Sequence, residues 1–195
     1  MMNIIYLHGF KSSALSIKGQ QLKQYFLHDS DVQVHLPDLN QPPQVVMQQM
    51  SALVESLDQV ALVGSSLGGF YATQLVAKYG VPAVLINPAM RPWQLFRELF
   101  GSDQIPLKVT ADWTLDDAQL DHLAQMAVPF VQDADKILVL LQQGDEVLDY
   151  RAAQRYYSAG ENHALIITEA NGNHAMEDFA EKIAMTYQFL SDCIK

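Results

Sequence analysis

The sequence predicts an α/β fold in which a mostly parallel central sheet of about six strands carries helices on both faces. Three observations predict it: short apolar runs, longer amphipathic segments between them, and a composition typical of a folded domain. Of the 195 residues, 49% are hydrophobic and 17% are charged. This is the balance of a globular chain with one core rather than that of a disordered chain.

The apolar runs and the segments between them define the order of the elements. Each run is about five residues long, which is the length of a buried parallel strand. The runs cover residues 4–7, 32–36, 60–63, 83–86, 137–141 and 164–168. The segments with helical periodicity cover residues 17–28, 44–57, 67–79, 151–158 and 175–193. Strands that alternate with helices indicate right-handed crossovers, and functional groups gather at the carboxyl ends of such strands.

One connection, from residue 87 to about residue 135, is too long for a single crossover. It contains two weaker helical patterns, over residues 93–100 and 116–126. Two interpretations stay open here: a lid or substrate-pocket insertion at about 88–135, or a plain pair of packing helices. Because the sequence has no internal repeat and no linker, residues 1–195 are expected to form a single domain.

The charge balance argues against several classes of partner. The chain has 22 acidic and 12 basic side chains, and the resulting formal net charge of −10 repels nucleic acid and anionic membrane surfaces. Its apolar runs are far shorter than the roughly 20 residues needed to span a bilayer. The N-terminus lacks the features of a signal peptide, and the only cysteine, Cys193, cannot form an internal disulfide. The expected location is therefore the cytoplasm.

The most informative segment is Gly-x-Ser-x-Gly, centred on Ser66, directly after an apolar strand and directly before a helix. A serine hydroxyl is a weak nucleophile and must project where a base can reach it. A sharp strand-to-helix turn achieves this by holding the serine in a strained conformation, and Gly64 and Gly68 avoid a collision around it. This context predicts that Ser66 is a nucleophile; the alternative is a glycine-rich helix start with a capping serine. Neither a dinucleotide-binding motif nor a P-loop is present.

A serine of this kind requires an acid and a histidine later in the chain, in that order. Only one of the six histidines, His174, follows the last predicted strand, and we expect it to act as the base. Asp145 is the first acid after the penultimate strand and is expected to accept the imidazole N–H and orient the ring. Asp149 is the second candidate for the acid, although its position fits the N-cap of the next helix better.

The oxyanion hole of such a site consists of two backbone N–H groups. One is expected from Leu67, the residue after the nucleophile. The other is expected from Phe10 in the loop after the first strand, where Gly9 allows the backbone to approach closely. His8, at the end of that strand, is expected to be a structural residue that is hydrogen-bonded beneath the loop.

With these residues placed, the sequence resembles the YqiA-type family of small bacterial esterases, within the α/β-hydrolase superfamily. The resemblance is carried by segments spread over nearly the whole chain, at residues 6–10, 63–72, 86–92, 140–151 and 172–175. It implies a compact α/β-hydrolase fold and ester hydrolysis by the triad Ser66, Asp145 and His174. It implies no metal and no organic cofactor.

These features together predict a serine esterase that hydrolyses small carboxylic esters through a covalent acyl-enzyme. Two alternatives stay open: an acyl-CoA thioesterase with the same triad, and a catalytically silent α/β-hydrolase that serves as a binding module. The short chain and the absence of a long apolar insertion favour short acyl groups. Arg91 is expected near the mouth of the site, where it either attracts an anionic group of the substrate or forms a surface salt bridge.

Overall fold

The predicted α/β architecture is confirmed by the computed structural model, which describes residues 1–194, with residue 102 described by its backbone alone. The strands in this part of the chain are Met2–Leu7 (β1), Val32–His35 (β2), Val60–Ser65 (β3), Ala83–Ile86 (β4), Leu107–Lys108 (β5), Thr114–Leu115 (β6), Ile137–Gln142 (β7) and Leu165–Glu169 (β8). The α-helices are Ile17–Tyr25 (α1), Pro43–Ser56 (α2), Leu67–Tyr79 (α3), Pro92–Gln104 (α4), Asp117–Met126 (α5), Tyr150–Tyr157 (α6) and Phe179–Ile194 (α7).

Six strands form one parallel sheet in the order β2-β1-β3-β4-β7-β8. The register places Tyr6 of β1 beside Val63 of β3, and Val63 beside Val84 of β4. All neighbouring pairs in this sheet are parallel, so the carboxyl ends of its strands lie along one edge. The loops after β1, β3, β4, β7 and β8 therefore meet there.

Both faces of the sheet are buried, which explains why its strands are continuous apolar runs. Ile5 and Leu7 of β1 belong to one hydrophobic cluster, which also contains buried residues of α2, α3 and α5. Ile4 and Tyr6 belong to a second cluster, which contains buried residues of α1 and α7. Successive side chains of a strand point to opposite faces, so each strand contributes to both clusters.

The long connection between β4 and β7 contains both predicted helices, as α4 and α5. Leu120 and Leu123 of α5 are buried in the larger hydrophobic cluster, so this helix is packed on the body of the molecule. Between the two helices, β5 and β6 form a short antiparallel hairpin in which Leu107 pairs with Leu115. The sequence analysis did not predict this hairpin, because two-residue strands show no periodicity.

The start of the last helix was predicted wrongly. The periodic pattern suggests a helix from residue 175, but α7 begins at Phe179. Met176 is fully buried and has a left-handed backbone conformation, with φ 47°, which interrupts a helix at this point. In the described range 1–194, no helix is both long enough and apolar enough to cross a membrane.

Candidate active site

Ser66 occupies the sharp turn between β3 and α3. Its backbone has φ 54° and ψ −118°, a conformation that costs a residue other than glycine about 1–3 kcal/mol. The turn is held from both sides, because the N–H of Ser66 donates to the carbonyl of Ile86 at 3.0 Å and its carbonyl accepts the N–H of Ala89 at 3.0 Å. The Ser66 hydroxyl makes no capping hydrogen bond to α3, so the alternative of a capping serine is not supported.

The glycines around Ser66 are required by close backbone contacts. A Cβ atom on Gly64 would lie 2.5 Å from the carbonyl oxygen of Gly68. A Cβ atom on Gly68 would overlap the carbonyl oxygen of Leu7 at the end of β1. The absence of a side chain at Gly64 lets the turn close on itself, and the absence of one at Gly68 lets the turn approach the end of β1.

The structure brings the three predicted triad residues together. Nε2 of His174 lies 3.0 Å from Oγ of Ser66, and Nδ1 of His174 lies 2.8 Å from Oδ2 of Asp145. In the tautomer with the ring proton on Nδ1, that N–H donates to the Asp145 carboxylate and Nε2 can accept a hydrogen bond from the Ser66 hydroxyl. The Asp145 side chain is only 2% exposed and the His174 side chain 20% exposed, so the imidazole lies between a buried acid and the surface.

The second oxygen of Asp145 fixes the orientation of the carboxylate. Oδ1 accepts the backbone N–H groups of Val147 and Leu148, each at 2.8 Å. The other predicted candidate for the acid, Asp149, does not contact His174. Its carboxylate accepts the N–H of Arg151 at 3.0 Å and caps the start of α6. The geometry therefore favours Asp145 over Asp149.

Three residues that the sequence analysis missed hold the histidine loop. Nδ2 of Asn87 donates to the carbonyls of Asn173, at 3.2 Å, and His174, at 3.1 Å. The Asn87 Oδ1 accepts the N–H of Gln142 at 3.0 Å, and the Gln142 side chain accepts the N–H of Asn173 at 2.7 Å. The signal available in the sequence was weak: Asn87 and Gln142 are polar residues at the ends of apolar strands, and both are buried.

Glu146 is the third missed residue. Its Oε2 accepts the backbone N–H of His174 at 2.9 Å, and this hydrogen bond holds the pKa of the Glu146 carboxyl below its usual value. The carboxylate is exposed, so it contributes a contact at the surface of the loop rather than a buried charge.

Leu67 directly follows Ser66 in the chain, and Phe10 lines the same cavity as Ser66. Leu67 is the first residue of α3, so its N–H has no partner within the helix. Gly9, which precedes Phe10, lies so close to Ser66 that an added Cβ atom would be 3.3 Å from the serine Cβ. The close approach brings the backbone of the β1–α1 loop to Ser66.

The Phe10 ring is held by the long connection between β4 and β7. Its centroid lies 4.5 Å from that of Phe96, 6.0 Å from that of Phe100 and 6.1 Å from that of Trp113. His8 has the expected structural position: it is buried, and its Nε2 accepts the N–H of Leu39 at 2.9 Å. The loop that carries Phe10 is therefore fixed on both sides.

Two cavities lie at this edge of the sheet. The smaller, of about 390 Å³, contains Ser66 and His174 and is bounded by the β1–α1 loop and the start of α1. Burial raises the pKa of Tyr6, which also lines it, to about 12, so the phenol remains neutral. Within the described residues, no group of three His, Cys, Asp or Glu side chains could hold a metal ion.

The larger cavity, of about 940 Å³, is lined by residues of α4, α5 and α6 and by the loops that precede α4 and α6. Ser66 is not part of its lining. Arg91 lies in this cavity and makes no ion pair with any described residue, so the salt-bridge interpretation of Arg91 is not supported.

Comparison with known proteins agrees with this architecture. Residues 3–191 match the family described as Uncharacterised protein family (UPF0227). The fold is similar to that of Est1E from Butyrivibrio proteoclasticus, solved with ferulic acid bound, at 16% identity and a TM-score of 0.70, covering 98% of this chain and 88% of that one.

Two further solved structures have the same fold. Alpha/beta hydrolase domain-containing protein 10 from mouse is 13% identical, with a TM-score of 0.74, and the match covers 99% of this chain and 90% of that one. Carboxylesterase CesB (YbfK) from Bacillus subtilis is 15% identical, with a TM-score of 0.62, and the match covers 98% of this chain and 84% of that one. The chain therefore has the α/β-hydrolase fold and belongs to the UPF0227 family, the YqiA-type family that its sequence resembles.

Proposed function

We propose that this protein is a serine hydrolase that cleaves small carboxylic esters, with Ser66 as nucleophile, His174 as base and Asp145 as the acid that orients the histidine. The observation that carries the proposal is the continuous hydrogen-bonded chain from Asp145 through His174 to Ser66, with distances of 2.8 and 3.0 Å. Both are within the range over which a base can take the proton of a nucleophile.

The proposed reaction has two halves, the formation of an acyl-enzyme and its hydrolysis. Oγ of Ser66 attacks the ester carbonyl carbon while its proton passes to Nε2 of His174, and a tetrahedral intermediate with a negatively charged oxygen forms. The bond to the leaving oxygen then breaks, and the proton on Nε2 passes to that oxygen. Water attacks the acyl-enzyme in the same way, with His174 taking its proton and returning it to Oγ. The products are a carboxylic acid and an alcohol.

The backbone N–H groups of Leu67 and Phe10 are proposed to stabilise the negative oxygen. Each such donor contributes about 2.7–4 kcal/mol to the transition state in enzymes of this kind. The start of α3 adds the partial positive charge of a helix N-terminus. Packing of Phe10 against the aromatic residues of the β4–β7 connection keeps its N–H in place before substrate binds.

The comparisons support the reaction class at the level of analogy. One structural relative is named as a carboxylesterase, and another was solved with an aromatic carboxylic acid bound. The cavity that contains Ser66 and His174 has a volume of about 390 Å³. A space of this size supports short acyl groups, because it lies near the lower end of the about 300–1,000 Å³ usual for ligand pockets.

The decisive experiment compares the wild type with Ser66→Ala and with Ser56→Ala, a matched loss of one hydroxyl at the exposed end of α2. Hydrolysis of p-nitrophenyl butyrate and labelling by a fluorophosphonate probe are measured on all three. We expect the wild type and Ser56→Ala to hydrolyse and to label equally. Ser66→Ala is expected not to label and to lose up to about a millionfold in kcat.

Two results would contradict the proposal. A wild-type protein that neither turns over nor labels would point to the binding-module alternative. An active Ser66→Ala protein would show that the nucleophile is another residue.

A further inference from the structure

Lys18 lines the cavity that contains Ser66 and His174. It belongs to the first turn of α1, and its Nζ donates to the carbonyl of Ala175 at 2.5 Å. Ala175 directly follows His174, so the cation lies beside the segment that carries the proposed base. No part of the proposed triad chemistry uses this side chain.

The described residues provide no carboxylate partner for this cation. The ion pairs of the other basic side chains join Arg97, Lys136 and Lys182 to nearby acids, and none of these acids contacts Lys18. An ammonium group has three donors, and the carbonyl of Ala175 accepts one of them. Burial without a counter-charge lowers the pKa of Lys18, because desolvation disfavours the charged form.

The surroundings of Lys18 also fit a ligand with a charged end and an apolar body. Leu15 and Ile17 line the same cavity and are 79% and 77% exposed, so their apolar side chains are accessible to a ligand. The chain as a whole has a formal net charge of −10, so its long-range field repels anions. An anionic substrate would therefore need a local cation at the site itself.

We propose that Lys18 binds a carboxylate or phosphate group of the substrate in the cavity that contains Ser66 and His174. This inference rests on the proposed ester hydrolysis and specifies the class of substrate: esters that carry a negative charge near the scissile bond. The anion belongs either to the acyl group or to the leaving group, and matched substrates distinguish these two sources.

The competing explanation is that Lys18 is purely structural and ties α1 to the histidine loop through Ala175. Loss of that tie would displace His174 and slow the hydrolysis of charged and neutral esters alike. The diagnostic quantity is therefore the ratio of kcat/KM for a charged ester to kcat/KM for its neutral counterpart, rather than either rate alone.

Two pairs of esters measure this ratio. Mono-p-nitrophenyl adipate and p-nitrophenyl hexanoate have acyl chains of the same length and differ by a carboxylate on the acyl side. 4-Nitro-3-butyryloxybenzoate and 2-nitrophenyl butyrate differ by a carboxylate on the leaving group. Each pair is assayed with the wild type, Lys18→Met, Lys18→Arg and Lys23→Met, the last being the same charge change at an exposed position of the same helix.

We expect Lys18→Met to lower the charged-to-neutral ratio in one pair by about tenfold to a hundredfold, the effect of one charge-assisted hydrogen bond. The pair that responds identifies the side of the ester that carries the anion. Lys18→Arg keeps the charge and is expected to retain most of the ratio, and Lys23→Met is expected to leave it unchanged. An equal loss on all four esters, or no change in either ratio, would overturn the proposal.

Binding measurements separate this proposal from the proposed catalytic function. The four esters are titrated calorimetrically into Ser66→Ala and into the double variant Ser66→Ala/Lys18→Met. In one outcome, the wild type hydrolyses none of the esters, Ser66→Ala binds a charged ester at least tenfold more tightly than its neutral counterpart, and the double variant loses that preference. Lys18 is then an anion site in a protein that is not an esterase. If hydrolysis occurs and Lys18→Met changes neither the kinetic ratio nor the binding preference, the esterase stands and the anion site is refuted.

Discussion

Replacing Asn87 with alanine tests how the histidine loop is held over the sheet. Asn87 is 2% exposed, and its side chain makes three hydrogen bonds. It donates to the carbonyls of Asn173 and His174 and accepts the N–H of Gln142. Alanine removes all three and leaves the Gln142 N–H buried without an acceptor. Leaving one buried polar group unsatisfied costs about 1–3 kcal/mol.

The backbone of Asn87 adds a second, smaller effect. Its φ is 40°, in the left-handed region that asparagine tolerates better than alanine. The left-handed conformation costs an ordinary residue about 1–2 kcal/mol. From both effects we expect Asn87→Ala to lower the free energy of unfolding by about 2–5 kcal/mol. Asn87→Gly loses the same hydrogen bonds without this steric cost, so comparing the two variants separates the backbone effect from the side-chain effect.

The consequence for catalysis follows from the position of His174. Its Nε2 lies 3.0 Å from Oγ of Ser66, and a displacement of about 1 Å at an active site can cost about a hundredfold in rate. We therefore expect both Asn87 variants to lower kcat for p-nitrophenyl butyrate by at least about tenfold. Urea unfolding gives the stability, and the rates are compared below the unfolding transition, where each variant is fully folded. A destabilised Asn87→Ala protein with wild-type kcat would refute the view that Asn87 positions the histidine.

Three further predictions concern the turn, the oxyanion loop and the last helix. Gly68→Ala would force a Cβ atom into the carbonyl of Leu7, so we expect a loss of about 1–3 kcal/mol in unfolding free energy, measured in urea, together with lower kcat. Phe96→Ala would remove the ring whose centroid lies 4.5 Å from that of Phe10. We expect the free energy of unfolding to fall by about 3–5 kcal/mol and kcat to fall as well. An unchanged kcat in the folded variant would show that this packing does not position the Phe10 N–H. The hydrogen bond from Lys182 on α7 holds the pKa of the Asp178 carboxyl below the ordinary 3.8. The stabilisation from this ion pair is therefore present above pH 3.8 and is lost as the pH falls through the pKa of Asp178 in the folded protein. We therefore expect Asp178→Asn to be less stable than the wild type at pH 7, with the difference shrinking in acid denaturation curves below about pH 4; a difference independent of pH would refute the ionic origin.

Much of the candidate site at the carboxyl edge of the sheet could be predicted from the sequence, because its sequence patterns are local. The turn around Ser66 requires glycine at Gly64 and Gly68, and that requirement is visible within five residues. The strands are apolar runs because both faces of the sheet are buried, and parallel strands place their carboxyl ends at one edge. Together with the chain order of serine, acid and histidine, these observations predict Asp145 and His174 near Ser66, and the structure has Asp145, His174 and Ser66 joined by hydrogen bonds.

Only the tertiary structure decided which residues support that arrangement. Asn87 contacts residues that are 55 to 87 positions away, and Lys18 reaches the carbonyl of Ala175, which is 157 positions away. A side chain that bonds to the backbone of a distant loop leaves no periodic pattern in the sequence, because the contact depends on the path of both loops. The packing of Phe10 against the β4–β7 connection leaves no pattern in the sequence for the same reason.

The difference between the features that local sequence determines and those that depend on tertiary structure has a physical cause. Periodicity and turn chemistry report the secondary structure and the strained turn, because burial of a face and close backbone contacts restrict which residues a short segment can contain. Local sequence therefore determined the sheet, the sharp turn at Ser66 and the chain order of Ser66, Asp145 and His174. The hydrogen bonds that hold the histidine loop, and the cation that faces the cavity, depend on where separate loops meet in space, and only the folded chain brings those loops together.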